Sequence, residues 1–208
     1  MVKAVEASRG YHHGNLRDAL IDAGVDLARS GGPNAVLLRA VSRAAGVSHN
    51  AAYRHFADQE DLLGTVAQRC MTQLSLLMIE RMDLVQARTA ARRARSRLEA
   101  IGRAYVDFAL TEPGWFRTAF TSARPHTAAG DVDQAAPNPY ALLGAALDDL
   151  VRTGVLAPHA RAGAQYTAWS AVHGLSSLLL DGPLRELPQA DVARAVDAVL
   201  AGINRSLG

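Results

Sequence analysis

The sequence predicts an all-α protein. Three observations carry that prediction: alanine and leucine recur at three- and four-residue spacing nearly throughout, β-branched runs with period-two alternation are absent, and stops such as Gly31-Gly32-Pro33 and Pro113-Gly114 cut the pattern into helix-length pieces. The chain has 208 residues, 49% hydrophobic and 20% charged. That is a globular composition, long enough for a sizeable core and for two unequal domains.

The first helix is expected over about Asn15 to Ser30, with Leu16, Ala19, Leu20, Ala23 and Leu27 on its buried face and Gly31-Gly32-Pro33 as its stop. Two very short helices follow, about Leu38 to Ala45 and Ser48 to Phe56, separated by Gly46-Val47. A fourth starts after Asp58, a good N-cap with Asp61 one turn on, and runs to about Val85, long enough to join two domains. Arg88, Arg92, Arg93, Arg95 and Arg97 then spread charge around a helix, which reads as a solvated face. The stripe Leu98, Ile101, Tyr105, Phe108 and Ala109 carries that helix to Thr111, and Trp115, Phe116, Ala119 and Phe120 form a short aromatic helix. The stretch from Ala123 to Pro139 lacks large apolar residues and is expected to be a mobile loop. Three helices close the chain: about Tyr140 to Thr153, His159 to Leu180 and Gln189 to Leu207.

Composition excludes several classes. Cys70 is the one cysteine, so no intrachain disulfide forms; a structural, buried thiol and a cytoplasmic location are expected. The first fifteen residues have no apolar core of secretory length. The uncharged run from Ala162 to Leu180 holds Gln165, His173 and several hydroxyls, so it is read as a buried soluble helix with no membrane partner. No Ser-His-Asp set, paired carboxylates, Gly-rich phosphate loop or metal-ligand spacing is present, which argues against an enzyme, a cofactor or a metal.

Charge is informative by position rather than by total. The formal net charge is only +2. Between Arg9 and Phe56, six arginines face three aspartates, a local +3, with His12, His13, His49 and His55 in addition. Lys3 and Arg9 suit either a minor-groove arm or a solvated tail.

Inside that basic segment the short helices read Leu38-Arg39-Ala40-Val41-Ser42-Arg43-Ala44-Ala45-Gly46-Val47-Ser48-His49-Asn50-Ala51-Ala52-Tyr53-Arg54-His55-Phe56. Helices crossing steeply need small residues, which Ala44, Ala45 and Ala52 provide, and Gly46 permits the positive φ of a tight turn. Ser48 can cap the second helix, whose first residues, His49, Asn50 and Ala51, then face outward. A helix presented in this way meets base edges in the DNA major groove.

This segment resembles the helix-turn-helix of the tetracycline-repressor-type (TetR) family, which ends in a Tyr-x-His-Phe signature matched by Tyr53-Arg54-His55-Phe56. The likeness spans about Asn15 to Leu63. It implies that Tyr53 and His55 hold DNA phosphates and Phe56 packs inward, with Arg39, Ser48, Asn50, His49 and Arg54 completing the candidate DNA-binding set. Leu37 and Gln59 stand where the family usually has a capping hydroxyl and a lysine. The expected losses are a cap of about 1 kcal/mol and one phosphate charge, about 0.9 in log-log salt slope. A second resemblance, Trp169-x-x-x-His173-Gly174 together with Tyr11-His12-His13-Gly14-Asn15-Leu16-Arg17, is to a TetR subfamily named for its Trp-His-Gly (WHG) box.

The resemblance implies an N-terminal helix-turn-helix DNA-binding domain over 1–58 and a C-terminal helical bundle over 59–208 for ligand binding and dimerisation. Candidate ligand residues are Tyr105, Phe108, Trp115, Phe116, Phe120, Trp169 and His173; the last two share a helix face and either line a cavity or pack the core. Val192, Val196, Val199 and Ile203 are expected to meet a twofold mate in a four-helix bundle. The function expected is a homodimeric repressor on near-palindromic double-stranded DNA, released by a small apolar effector. The rival expectation is a regulator without such an effector, controlled by a protein partner or by abundance.

Overall fold

The structure, a computed structural model, describes residues 16–121 and 138–207. Its regular elements are α1 (Leu16–Gly31), α2 (Leu38–Ala44), α3 (His49–Ala52), α4 (Gln59–Asp83), α5 (Ala90–Thr111), α6 (Pro113–Ala119), α7 (Pro139–Arg152), α8 (Arg161–Leu180) and α9 (Gln189–Arg205), with 3-10 turns at Pro33–Ala35 and Pro158–Ala160. No strand occurs among the described residues. The N-terminal arm and almost all of the expected loop from Ala123 to Pro139 lie outside them.

α1, α2 and α3 gather around the start of α4, sharing a core of Leu20, Ile21, Val36, Val41, Ala52, Phe56 and Leu62. Each large apolar side chain withdrawn from water there contributes about 1.5–3 kcal/mol. The buried face of α1 is Leu20, Ile21, Gly24 and Ala28, with Ala19 exposed, so the face is turned from the stripe expected. Small residues set that rotation. At Gly24, α4 comes so close that a Cβ would stand 2.6 Å from Val66 Cγ2, and periodicity counted on large residues misses such a site.

Asp58 caps α4 by accepting from the Asp61 N–H at 2.8 Å, and Asp61 accepts in turn from the Ala57 N–H at 3.1 Å. This reciprocal arrangement satisfies two donors at the helix start. Twenty-five residues later α4 has crossed from the α1–α3 cluster into the remaining helices, where it packs on α5, α6 and α7. By length and composition α4 could cross a membrane, but its apolar side chains, among them Leu62, Val66, Leu74 and Met78, are buried in this chain's own core.

α5 is central to the rest, touching α4, α6, α7, α8 and α9. Two expectations are corrected here. Val196 and Ile203, with Leu200, are buried inside this chain, where α9 packs on α5 and α8. The apolar stripe of α9 therefore completes the core of its own protomer rather than waiting for a mate. The arginine cluster also divides: Arg88, Arg92 and Arg93 are exposed, whereas Arg95 donates to the Asn204 carbonyl at 3.2 Å and Arg97 lies 4.0 Å from Asp149. Half-buried arginines lay their stems over apolar surface while their heads reach polar partners.

Candidate functional site

The turn between α2 and α3 is a Schellman ending. Gly46 has φ +70°, its N–H donates to Arg43 O at 3.1 Å, and the Val47 N–H donates to Ser42 O at 2.9 Å. Both bonds satisfy last-turn carbonyls of α2, and the left-handed residue between them is where glycine costs least. Ser48 then caps α3, its Oγ accepting from the Ala51 N–H at 3.3 Å. α3 is shorter than expected. After Ala52 the chain tightens, with the Arg54 N–H on Ala51 O at 3.3 Å and the His55 N–H on Ala52 O at 2.9 Å. Phe56 turns into the core, 1% exposed, under the guanidinium of Arg17 at 5.3 Å.

That inward turn leaves Tyr53, Arg54 and His55 exposed, together with Arg39, Ser48 and Asn50. His49 is half-buried, its ring edge-on to Tyr53 at 4.8 Å. His49 therefore steadies Tyr53 as well as standing at the start of α3. The local result is an exposed helix start flanked by two arginines and an aromatic hydroxyl, with donors for phosphate and an amide for a base edge.

The aromatic candidates separate into two groups. Tyr105, Phe116, Phe120, Trp169 and His173 form one cluster, with Phe116–Phe120 and Phe120–His173 centroids 4.9 Å and 4.8 Å apart and Tyr105–Trp169 at 5.4 Å. At its centre the Tyr105 hydroxyl and His173 Nδ1 share a hydrogen bond of 2.7 Å. Burial pushes the Tyr105 phenol up and the His173 imidazole down, so both are neutral at pH 7. Tyr140, absent from the sequence candidates, adds its ring to Trp169 at 5.3 Å.

Phe108 and Trp115 stand apart from that cluster, stacked on each other at 6.3 Å. Trp115 Nε1–H donates to Val25 O in α1 at 2.9 Å, and the Arg29 guanidinium covers its ring at 4.9 Å. Arg29 also grips Glu112 through two nitrogens, one at 2.7 Å. Next to this, α6 abuts the end of α1: a Cβ on Gly114 would stand 2.3 Å from the carbonyl oxygens of Ala28 and Arg29. α6 thus touches α1 through Gly114 and Trp115, and the aromatic cluster through Phe116.

A cavity of about 30 Å³ lies among α4, α5, α7, α8 and α9. Of the sequence candidates it is lined by Tyr105 and Trp169; Met78, Ile101, Gly102, Val172, Leu200 and Asn204 are among the residues that complete it. Most of these look like ordinary core in the sequence. Only Gly102, a glycine in mid-helix, marks the place. Among the described residues no group of three His, Cys, Asp or Glu is placed to hold a metal ion.

Comparison with known proteins agrees with this geometry. Residues 20–66 match the model of bacterial regulatory proteins of the tetR family, and residues 98–203 match the tetracyclin repressor-like C-terminal domain. An uncharacterized HTH-type transcriptional regulator, YobS of Bacillus subtilis (strain 168), is 27% identical over 106 residues, 51% of this chain. The match spans about half of that relative, 52% of its length. A solved protein of unknown function from Rhodococcus sp. RHA1 is 27% identical with a TM-score of 0.68, covering 96% of this chain and 98% of its own. A tetracycline repressor variant from Acinetobacter baumannii AYE, solved in complex with minocycline, shares the fold at 14% identity and TM-score 0.60 over 91% of this chain and 96% of its own. The helix-turn-helix lies in one matched segment and the helical core in the other, the latter alone covering half the sequence: the chain belongs to the tetR family of bacterial regulatory proteins, which are DNA-binding transcription regulators and not enzymes.

Proposed function

We propose that this regulator is a cytoplasmic homodimeric repressor that holds a near-palindromic operator with one α3 per subunit and is released by a small lipophilic ligand. Residues 1–58 form the DNA-binding domain of this reading and 59–208 the ligand-binding and dimerisation domain. Arg39, Tyr53, Arg54 and His55 take phosphates, Ser48 holds the helix start, and His49 and Asn50 face the bases. The Trp169-x-x-x-His173-Gly174 box supports placement in the WHG subfamily.

The observation that carries ligand control is α6. Its Gly114 backbone lies on the Ala28 and Arg29 carbonyls, while Phe116 packs 5.7 Å from Tyr105, which lines the cavity. A ligand that displaces Tyr105 displaces α6, and α6 cannot shift without moving α1. Recognition helices in a dimer must stand about 34 Å apart, and a coupling of about 1–3 kcal/mol weakens binding some 5- to 150-fold. The Acinetobacter relative's minocycline complex supports a bundle of this kind holding a small molecule.

Family members bind DNA as dimers, and the surface left for a mate is the outer face of α8. Tyr166 is 68% and Leu178 42% exposed there, with Ser170 and Ser177 between them. Footprinting on genomic fragments, followed by gel-shift titration with candidate ligands, tests the proposal. Protected palindromes released by a ligand bear it out; absence of any protected fragment at low salt overturns it. The small cavity favours a second reading, control by a protein partner or by abundance, in which melting temperature responds to no small molecule.

A further inference from the structure

We propose that the cavity against α5, α8 and α9 takes a lipophilic amine, its apolar part against Trp169 and Tyr105 and its protonated nitrogen at Glu99 and Asn204. The inference rests on the ligand-responsive reading of this cavity and adds the chemistry of what enters it.

The walls, including Leu98, Ile101, Val172 and Leu200, are hydrocarbon. Polarity enters through Glu99 and Asn204. The Asn204 Oδ1 is buried with no hydrogen-bond partner among the described groups. A buried acceptor in that state has lost its water without compensation, and a ligand N–H restores the missing bond. Glu99 is loosely held: its carboxylate is 3.7 Å from Arg103 Nη2, whose close contact is to Asp197 at 2.6 Å. Arg95, the nearby cation on α5, is committed to the Asn204 carbonyl. An ammonium group is thus offered a carboxylate and an unfilled amide oxygen, with two aromatic rings that favour cations.

The apolar part needs room, and Gly102 supplies it. A Cβ there would stand 2.7 Å from Leu200 Cδ2 and 3.7 Å from Val172 Cγ1. The missing side chain keeps the passage between α5 and α9 open, and Met78, an adaptable thioether, forms part of the wall.

The test is calorimetric titration of the full chain with octylamine, octanol and octanoate, three probes of one chain length. Octylamine is expected to bind about tenfold more tightly than octanol, with octanoate weakest. Glu99→Gln, at an exposed position, should remove most of the amine's advantage and leave octanol unchanged; Asn204→Ala should weaken the amine severalfold. Octanol or octanoate binding as tightly as the amine, or an amine preference that survives Glu99→Gln, overturns the inference while the cavity reading stands. If none of the three probes binds, the cavity reading falls and this inference with it.

Discussion

The Leu38 N–H, at the start of α2, donates at 2.8 Å to the side-chain Oε1 of Gln59, which lies 21 residues away at the start of α4. The Gln59 amide nitrogen returns to Val36 O. The hydroxyl missing at Leu37 and the lysine missing at Gln59 are therefore linked. Leu37 makes no side-chain cap, but one orphan donor of α2 is satisfied by the residue that replaced the lysine. Gln59→Ala leaves the Leu38 N–H and the Val36 carbonyl unpaired at part-buried positions, a loss of about 1–2 kcal/mol. Urea denaturation of the purified variant measures it. An unchanged midpoint would show that water replaces Gln59 at no cost.

DNA contact separates by salt. Replacing Arg54 or Arg39, both exposed and without a partner in the described structure, by alanine should weaken all sequences alike and lower the log-log salt slope by about 0.9 each. Asn50→Ala should instead change which operator bases matter, because an amide reads base edges. Binding measured between low and high salt on operator and random duplexes distinguishes the two. A base-specific effect of Arg54 with no change in slope would reassign it.

Much of this molecule was legible in its sequence, for identifiable reasons. The Gly31-Gly32-Pro33 stop, Gly46, the Asp58 cap and Pro113-Gly114 act locally, so each helix end follows from a few adjacent residues. What escaped depends on partners distant in the chain. Nothing near Gln59 announces Val36 and Leu38, and nothing near Val25 announces Trp115. Val196 and Ile203 form a stripe that fits a foreign helix or its own α5 equally well; periodicity shows that a face is buried but not what covers it. The cavity was missed for the same reason, since Leu98 and Leu200 differ from core leucines only by what lies opposite.

The α9 result changes the test of dimerisation. Val196 is 5% exposed within one protomer, so Val196→Glu places a carboxylate in the core and unfolds the chain whatever the oligomeric state. Leu178→Glu or Tyr166→Glu, on the outer face of α8, should keep the far-ultraviolet dichroism and abolish the dimer in light scattering. Retention of the dimer by both variants would place the subunit contact elsewhere.

The Tyr105–His173 pair makes a pH prediction. Burial holds the folded His173 below its ordinary 6.5, so the unfolded chain takes up the proton first. The contribution of His173 is complete above that value and is lost as pH falls through it toward the folded value. Melting temperature should accordingly drop from about pH 6.5 downward, and His173→Gln should flatten this part of the profile. A wild-type profile as flat as the variant's would mean that His173 is as well solvated folded as unfolded.

Gly114 gives the sharpest test of how the cavity speaks to DNA. At 2.3 Å from two carbonyl oxygens of α1, an added methyl cannot be absorbed by a side-chain rotation, because the atoms it meets are backbone. Gly114→Ala must push α6 and α1 apart, and the Trp115–Val25 hydrogen bond and the Arg29–Glu112 pair lie beside that contact. If α6 carries the coupling, the variant should bind operator with altered affinity and show a ligand effect reduced several-fold, since displacement of Tyr105 no longer reaches α1. Arg29→Ala serves as the milder control: the pair is exposed on the Arg29 side at 59%, so its loss should change stability by less than about 1 kcal/mol while still loosening Trp115. Gel shifts with and without ligand decide the matter. Full ligand release in Gly114→Ala, at wild-type ligand concentrations, would mean that the signal reaches α1 through α4 instead.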